Sequence, residues 1–296
     1  MLRCCFLKGT KPICKAPPCL KALPILKKSK GYKQSAQAVP ILDSLNAEPM
    51  EHTIRRVGII LHRLGITMEI LHNGFTLDIP QGCLPLSTDS MLLSGFASLP
   101  KNARVLDLGS GCGTLGLLLC ANDENCRVTG VELDPVAHEA AKENIARNAL
   151  TGRMESICSD LRTIPSQFPA GSFDCCVSNP PYFTGGPASE STPLARRDDC
   201  CTPEELFQAA AWGLKFGGTF FLVHKPERLA QLCGLACACN LEPKRLQLVR
   251  HKADSPVSLI LLACRKGAKP GLQWEELCLF DQNGQPTPQY RKIYHL

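Results

Sequence analysis

The spacing of apolar positions changes repeatedly between about residue 70 and the C-terminus. Short apolar segments typical of buried strands alternate with segments whose apolar positions recur every three or four residues, as in amphipathic helices. The pattern predicts strands at 104–108, 127–132, 154–158, 173–178, 218–224 and 257–264, and helices at 113–121, 135–148, 203–215 and 226–239. This alternation predicts a largely parallel sheet with helices on both faces.

The two ends of this region complete the predicted fold. Residues 74–79 alternate like a strand, and the polar residues from Ser87 begin an apolar helix that runs through Phe96. Near the C-terminus, a strand at 245–251 is joined to the strand at 257–264 by a few residues, which permits only an antiparallel hairpin. The predicted fold is therefore a doubly wound α/β sheet of seven strands, mostly parallel, with an antiparallel last strand.

Length and composition agree with one globular domain and an extension. The chain has 296 residues, of which 44% are hydrophobic and 20% are charged, as in ordinary globular proteins. No apolar run approaches the roughly 18 residues of a membrane-spanning helix. The N-terminus has scattered lysines without a continuous apolar core, so we expect neither a membrane span nor a secretory signal.

The basic charge is concentrated in an N-terminal extension. Residues 1–50 contain nine Lys or Arg and two acidic residues, out of 33 basic and 27 acidic residues in the chain, which leaves 24 and 25 for the remainder. Residues 1–67 show no helical or strand period, so we predict a disordered or weakly ordered extension followed by a domain at 68–296. The extension fits an RNA-contacting arm or a plain unstructured segment. A nucleic acid would be bound by a local patch of the domain, because the domain is nearly neutral.

The 18 cysteines do not indicate a disulfide framework. Several lie inside predicted strands and helices, where a thiol acts as a small apolar side chain: Cys112, Cys120, Cys158, Cys175, Cys176 and Cys264. A tight group at Cys233, Cys237 and Cys239 lies in a helical stretch and lacks a fourth ligand, so packing is predicted there and no metal site. This cysteine usage predicts a reducing compartment, the cytoplasm.

The first strand of the alternation runs into a glycine-rich turn with the spacing D-x-G-x-G-x-G. The motif consists of Asp107, Gly109, Gly111 and Gly113. Glycines permit positive φ and close approach of a ligand to the backbone, and the following helix offers free N–H groups. Such a turn also occurs in NAD-binding proteins and in mere tight turns. By itself it predicts only a nucleotide-type cofactor.

Acidic residues at the following strand ends make the prediction more specific. Glu132 ends the second strand, 23 positions after Gly109, where a carboxylate can accept hydrogen bonds from ribose hydroxyls. Asp160 ends the third strand and could accept from an adenine amine. Each acid alone also fits a solvated strand end, but the set in register favours S-adenosylmethionine (SAM). Thr88 and Asp89 fit a contact with the methionine end of this cofactor, or a plain helix N-cap.

The most specific motif is Asn179-Pro180-Pro181-Tyr182 at the end of the fourth strand. The lone pair of an exocyclic amine or amide nitrogen is delocalised, which makes that nitrogen a poor nucleophile. The Asn179 side-chain oxygen and the Pro180 carbonyl can each accept one of its hydrogens and direct its lone pair toward a sulfonium methyl. Tyr182 and the adjacent Phe183 offer faces for stacking a target base. The two loops therefore predict methyl transfer from SAM to a planar nitrogen, without a metal.

Together these residues resemble the bacterial tRNA1(Val) (adenine(37)-N6)-methyltransferase family, of the small-domain methyltransferase type, over about residues 70–296. The segments that carry the resemblance are 87–93 (STDSMLL), 178–183 (SNPPYF), 223–229 (VHKPERL), 241–246 (LEPKRL) and 266–272 (KGAKPGL). The resemblance implies a Rossmann-like class I methyltransferase fold and transfer of a methyl group from SAM to N6 of adenine 37. It implies that 179–182 is the catalytic loop and that Asp107, Gly109, Glu132 and Asp160 contact the cofactor.

One departure concerns the segment after the catalytic loop. The family usually has Ala-Arg-His-Glu, whereas this chain has Ala195-Arg196-Arg197-Asp198. Arg196 matches the arginine of the family segment. We expect Arg196 and Arg197 to bind phosphates of the flipped nucleotide.

A second group of basic residues lies near the terminal hairpin: Lys244, Arg245, Arg250, Lys252, Arg265, Lys266 and Lys269. They fit a phosphate-binding patch, if the hairpin brings them together, or an ordinary solvated surface. The expected partner is tRNA, with no membrane and no metal, and the expected state is a monomer.

Two other classes of function remain open. An Asn-Pro-Pro-Tyr loop also serves enzymes that methylate a release-factor glutamine or the N2 amine of an rRNA guanine. Those enzymes usually carry an N-terminal helical bundle or a duplicated methyltransferase-like domain, and residues 1–67 predict neither. A non-catalytic RNA-binding or assembly factor could also keep this fold. Loss of Asn179 or of the glycines would favour that class, and both are present.

Overall fold

The computed structural model describes residues 66–180 and 201–296. The strands are β1 (Ile66–Ile70), β2 (Thr76–Pro80), β3 (Arg104–Leu108), β4 (Arg127–Glu132), β5 (Met154–Cys158), β6 (Phe173–Ser178), β7 (Leu214–His224), β8 (Leu241–Arg250), β9 (Val257–Lys266) and β10 (Gln273–Cys278). The α-helices are α1 (Thr88–Phe96), α2 (Thr114–Asn122), α3 (Pro135–Arg147), α4 (Ile164–Gln167), α5 (Pro203–Gly213), α6 (Leu229–Ala238) and α7 (Pro288–Tyr294). Short 3₁₀ turns occupy Leu161–Thr163 and Pro226–Arg228.

The central sheet has the strand order β10-β8-β9-β7-β6-β3-β4-β5. Strands β3 to β7 are parallel to one another, and β9 is antiparallel to both β7 and β8. From β3 the chain continues through β4 to β5 at one edge of the sheet. It then crosses back to β6, which pairs with the opposite side of β3. The topological switch point therefore lies between β3 and β6, where open α/β sheets bind ligands at the carboxyl ends of the strands. This architecture confirms the predicted fold class.

The sheet has one strand more than predicted, because β10 adds to the edge beside β8. Its first four residues, Gln273–Glu276, are exposed and mostly polar, so they lack the buried alternation that identifies a strand in a sequence. The predicted helix at 203–215 ends two residues early, at Gly213, and β7 follows directly from Leu214.

Alternate residues of the strands supply two hydrophobic layers, one on each face of the sheet. Val105 and Val177 belong to the layer that also contains Leu92 of α1, whereas Leu106 belongs to the opposite layer with Phe207 of α5. All thirteen cysteines of the described residues are free thiols, and six of them are buried. No helix of the described residues is long and apolar enough to cross a membrane.

A two-stranded hairpin, β1–β2, is held against α3 by asparagine side chains. The fully buried Asn144 accepts from the Asp78 N–H at 2.9 Å and donates to the Asp78 carbonyl at 2.9 Å and the Cys112 carbonyl at 3.0 Å. Asn148 bonds both backbone groups of Thr76 in the same way, at 2.8 and 2.7 Å. One helix therefore fixes both the hairpin and the glycine-rich turn.

The described strands begin at Ile66, close to the predicted domain boundary at residue 68. The predicted extension lies almost wholly outside the described residues, and its order remains a prediction.

Candidate functional site

The glycine-rich turn leaves open space above the end of β3. Gly109, Gly111 and Gly113 have φ of 75°, 54° and 82°, in the left-handed region that favours glycine. A Cβ atom at Gly109 or Gly111 would meet nothing within 4 Å, whereas one at Gly113 would meet Cε of Met154 at 3.0 Å. Gly109 and Gly111 therefore present bare backbone to a ligand, and Gly113 serves the packing of α2.

Glu132 at the tip of β4 organises this turn. Its carboxylate accepts from the Gly111 N–H at 2.7 Å and from the Asp134 N–H at 2.8 Å. The N–H groups of Gly109 and Ser110 donate to the Val131 carbonyl at 2.9 and 3.1 Å. Because each carboxylate oxygen has a second acceptor site, Glu132 can still accept from two hydroxyl groups. This geometry fits a ribose above the turn.

Asp107 lies beneath the turn and is only 1% exposed. Burial, with a further contribution from the nearby Glu132 charge, raises its pKa to about 7, although the Gly116 N–H partly opposes the shift. Its Oδ2 atom has no hydrogen-bond partner within the described part of the chain. Asp107 is therefore buried beneath the glycine-rich turn. Its direct contact with a cofactor remains a prediction.

The raised pKa of Asp107 predicts a pH-dependent stability. Above about pH 4 the unfolded chain releases the Asp107 proton while the folded protein keeps it, so the free energy of unfolding falls as the pH rises from 4 to 7. The limiting slope is about 1.4 kcal/mol per pH unit. Asp107→Asn removes this titration, so its urea-derived stability should gain on the wild type between pH 4.5 and 7.5. A constant difference between the two proteins would contradict the raised pKa.

His224 also makes the stability of the wild type depend on pH. The effect of Asp107 is therefore seen in the difference between the wild type and Asp107→Asn. Burial lowers the pKa of His224 to about 4, so the folded protein resists a protonation that the unfolded chain accepts below about pH 6.5. His224 therefore adds stability that is lost as the pH falls, opposite in sign to the effect of Asp107. Because it titrates in both proteins, its contribution cancels in the difference.

Asp160 follows β5 at the same rim of the sheet. It caps the 3₁₀ turn by accepting from the Arg162 N–H at 2.9 Å, and it forms an ion pair with the Arg162 guanidinium. The hydrogen bond from Arg162 holds the pKa of Asp160 below its usual value. Asp160 is therefore ionised and can accept a further hydrogen bond, although Arg162 already occupies part of its carboxylate.

The start of α1 borders the crevice from the other side. Ser87 is the N-cap, since its side chain accepts from the Ser90 N–H, which leaves Thr88 and Asp89 free of the capping role. Burial raises the pKa of Tyr294 on α7, and the nearby Thr88 hydroxyl partly opposes that shift. Burial raises the pKa of Asp89, and the Lys225 cation beyond β7 partly opposes that shift. Thr88 and Asp89, the two residues predicted to contact the methionine end of the cofactor, therefore lie in the first turn of α1.

Asn179 directly follows β6, the strand that pairs with β3 and so ends beside the glycine-rich turn. Ser178 donates from its buried hydroxyl to the Leu108 carbonyl at 2.8 Å, which ties the ends of β6 and β3 together. The Asn179 Nδ2 atom donates to the Ser90 Oγ atom at 3.0 Å, and Pro180 is buried. Sequence reasoning missed Ser90, because no local pattern pairs it with a residue 89 positions away.

Several predicted site residues lie outside the described residues. They are Pro181, Tyr182, Phe183, Arg196 and Arg197. Their roles in catalysis, stacking and phosphate binding remain predictions.

Several residues of the predicted basic patch make contacts within the protein, and the phosphate-binding role of the patch remains a prediction. Arg245 stacks on the Phe96 ring at 3.9 Å and donates to the Ser98 hydroxyl at 3.1 Å, and its β9 partner is Ala263, away from the strand end. Lys244 donates to the Lys269 carbonyl at 3.1 Å. Other members also bind protein groups: Lys266 bonds the Ala211 and Leu214 carbonyls, Arg265 the Gly217 carbonyl, and Arg250 the Glu276 carboxylate. Arg245 thus packs α1 against β8.

The described residues contain no group of three or more His, Cys, Asp or Glu side chains that could hold a metal ion. Cys233 and Cys237 lie on α6, and Cys239 caps that helix.

Comparisons with known proteins agree on one family. Residues 87–231 match the model of the "Methyltransferase small domain" family. A tRNA1(Val) (adenine(37)-N6)-methyltransferase of Haemophilus influenzae (strain PittGG) is 40% identical over 213 residues, covering 71% of this chain and 89% of that protein. The protein of the same name from Bacteroides fragilis (strain ATCC 25285) is 32% identical over 192 residues, covering 64% of this chain and 80% of that one.

Solved structures share the fold. A predicted O-methyltransferase from Agrobacterium tumefaciens superposes with a TM-score of 0.60 at 20% identity, covering 70% of this chain and 96% of that one. A putative transferase from Pyrococcus horikoshii has a TM-score of 0.51 at 15% identity, covering 69% of this chain and 73% of that one. At these identities the similarity concerns the fold alone.

Proposed function

This chain belongs to the tRNA1(Val) (adenine(37)-N6)-methyltransferase family, and we propose that it methylates N6 of adenine 37 in the anticodon loop of that tRNA. It is a SAM-dependent N-methyltransferase that acts on tRNA. The observation that carries the proposal is the position of Asn179, which follows β6 at the switch point, next to β3 and the bare backbone of Gly109 and Gly111 that follows β3.

The residues around the turn fit SAM. The open space over Gly109 and Gly111 admits the cofactor, and Glu132 at the tip of β4 is placed to accept from the ribose hydroxyls. Asp160 is proposed to accept from the adenine amine, and Thr88 and Asp89 to contact the methionine end. When bound, SAM supplies an electrophilic methyl group on a sulfonium whose leaving group is a neutral thioether.

The chain's own contribution is to position and activate a weak nucleophile. The side-chain oxygen of Asn179 and the carbonyl oxygen of Pro180 each accept one hydrogen of the adenine amine. These two hydrogen bonds disfavour delocalisation of the nitrogen lone pair into the adenine ring and direct that lone pair into the crevice. Tyr182 and Phe183 stack the flipped base, and Arg196 and Arg197 bind its flanking phosphates. Lys244 and Arg245 are proposed to contact the tRNA outside this crevice, in addition to the contacts they make with the protein.

Localisation and oligomeric state follow from the same proposal. We propose that the enzyme acts on tRNA in the cytoplasm, and the free cysteines of the described residues are compatible with a reducing compartment. We propose a monomer, because the glycine-rich turn, Glu132 and Asn179 all come from one chain and form one crevice.

Nucleoside analysis tests the proposed function. Transfer RNA from a strain lacking this protein should gain N6-methyladenosine when incubated with the purified protein and SAM, as detected by mass spectrometry after digestion to nucleosides. Ribosomal RNA and a release factor should gain no methyl group under the same conditions. Methylation of a guanine or a glutamine with unmodified tRNA would favour the alternative amine or amide substrates, and no methylation of any of these would favour a non-catalytic factor.

A further inference from the structure

The hydroxyl of Ser90 connects the catalytic asparagine to the first turn of α1. Its Oγ atom accepts from Nδ2 of Asn179 at 3.0 Å, and the residue is only 5% exposed. The Ser87 hydroxyl lies 3.4 Å from the Ser90 hydroxyl and also caps α1 by accepting from the Ser90 N–H at 3.3 Å. A row of three hydrogen-bonded side chains, with the buried Ser90 at its centre and the half-buried Ser87 and Asn179 on either side, therefore runs from the N-terminus of α1 to the end of β6.

The hydrogen bonds among these three side chains can all be donated in the same direction, from Asn179 to Ser90 and from Ser90 to Ser87. A serine hydroxyl can donate one hydrogen bond and accept others, so its effect on Asn179 depends on where its proton points. The Ser87 oxygen can accept the Ser90 proton, and the remaining lone pairs of Ser90 then accept from Nδ2 of Asn179. With Nδ2 engaged, the opposite atom of the amide, Oδ1, is the one presented to the crevice.

The orientation of this amide decides whether the site can work. A rotation of the amide by 180° exchanges its oxygen and its NH2 group with almost no change of shape. The rotated form would present N–H groups to the amine of the substrate, which also carries N–H groups, and no acceptor would remain on that side. A second residue is therefore needed to select the productive orientation.

We infer that Ser90 is a positioning residue that selects the Asn179 amide orientation in which Oδ1 faces the substrate nitrogen. This role rests on the proposed function, since it concerns the same amine-binding oxygen. It extends the site beyond the Asn-Pro-Pro-Tyr loop to the start of α1, a segment that also carries the proposed cofactor residues Thr88 and Asp89.

Ser90→Ala tests this role, with Ser94→Ala as the matched control. Ser94 is a buried serine one turn further along α1, and its hydroxyl donates to the Met91 carbonyl at 2.8 Å without contacting Asn179. Loss of one orienting hydrogen bond should lower kcat about tenfold. The KM for tRNA and the Kd for SAM should stay within about twofold, because Ser90 contributes to orientation and not to binding. Ser94→Ala should keep the wild-type kcat.

Asn179→Asp provides a background in which orientation no longer matters. Both oxygens of a carboxylate are acceptors, so adding Ser90→Ala there should cost no more than about twofold in kcat. A wild-type kcat in Ser90→Ala, or the same loss in the Asn179→Asp background as in the wild type, would overturn the inference. The methylated nucleoside is identified in the same reactions. A wild-type enzyme that forms no N6-methyladenosine would refute the proposed function instead.

Discussion

Replacing Asn179 with alanine should lower turnover about 10²- to 10³-fold, as expected for loss of a preorganised group that acts on the reacting atoms. The substitution removes one of the two oxygens that hold the amine, and it leaves the Pro180 carbonyl alone to orient the nitrogen. The effect should appear in kcat measured with saturating tRNA and SAM, because the interaction strengthens as the nitrogen becomes pyramidal.

The Kd for SAM separates this loss from general damage to the site. Among the described residues, the hydrogen bond of the Asn179 side chain goes to Ser90 and not to the glycine-rich turn. Isothermal titration should therefore show an affinity for SAM close to that of the wild type. A variant with full turnover, or one whose affinity for SAM falls in parallel with kcat, would contradict the assigned role of Asn179.

Glu132→Ala should have the opposite signature, a weaker affinity for SAM. The substitution removes the acceptor for the ribose hydroxyls and also releases the Gly111 and Asp134 N–H groups that the carboxylate holds at 2.7 and 2.8 Å. Hydrogen bonds to a charged group contribute about 1.5–3 kcal/mol, which corresponds to a Kd raised about 10- to 100-fold. At saturating SAM, kcat should change far less.

Two controls make the Glu132 experiment specific. Glu132→Gln keeps the shape and one acceptor oxygen, so its Kd for SAM should lie between those of the wild type and Glu132→Ala. Glu139 lies on the exposed side of α3, where it pairs with Lys142 at 3.0 Å, and Glu139→Ala should bind SAM like the wild type. An unchanged affinity in Glu132→Ala would exclude the proposed ribose contact.

The part of the fold that the sequence predicted is the part with buried strands. Strands β3, β4 and β6 begin and end where expected, because each is a mostly buried run that ends near a glycine or polar residue, and the half-exposed β5 also has its expected bounds. The edge strand β10 was missed, since Gln273–Glu276 are exposed and polar. Strand edges are stabilised by backbone pairing, which leaves little trace in the pattern of side chains.

Some residues of the candidate site could likewise be predicted from the sequence, and others could not. The glycine-rich turn, Glu132 and Asn179 were predictable, because each occupies a fixed place at the end of a strand and such ends converge in a doubly wound sheet. The contact between Ser90 and Asn179 was not, since it depends on how α1 packs beside β6. The protein contacts of the basic residues near the terminal hairpin could not be predicted for the same reason. Their charge is visible in the sequence, but the stacking of Arg245 on Phe96 is a property of the packed structure.

A structure of the enzyme with S-adenosylhomocysteine and an anticodon stem-loop containing the target adenine would test the amine-binding site most directly. Oδ1 of Asn179 and the carbonyl oxygen of Pro180 should each lie about 3 Å from N6 of the flipped adenine, with N6 turned toward the cofactor sulfur. An adenine bound in the crevice with N6 away from both oxygens would contradict the proposed site.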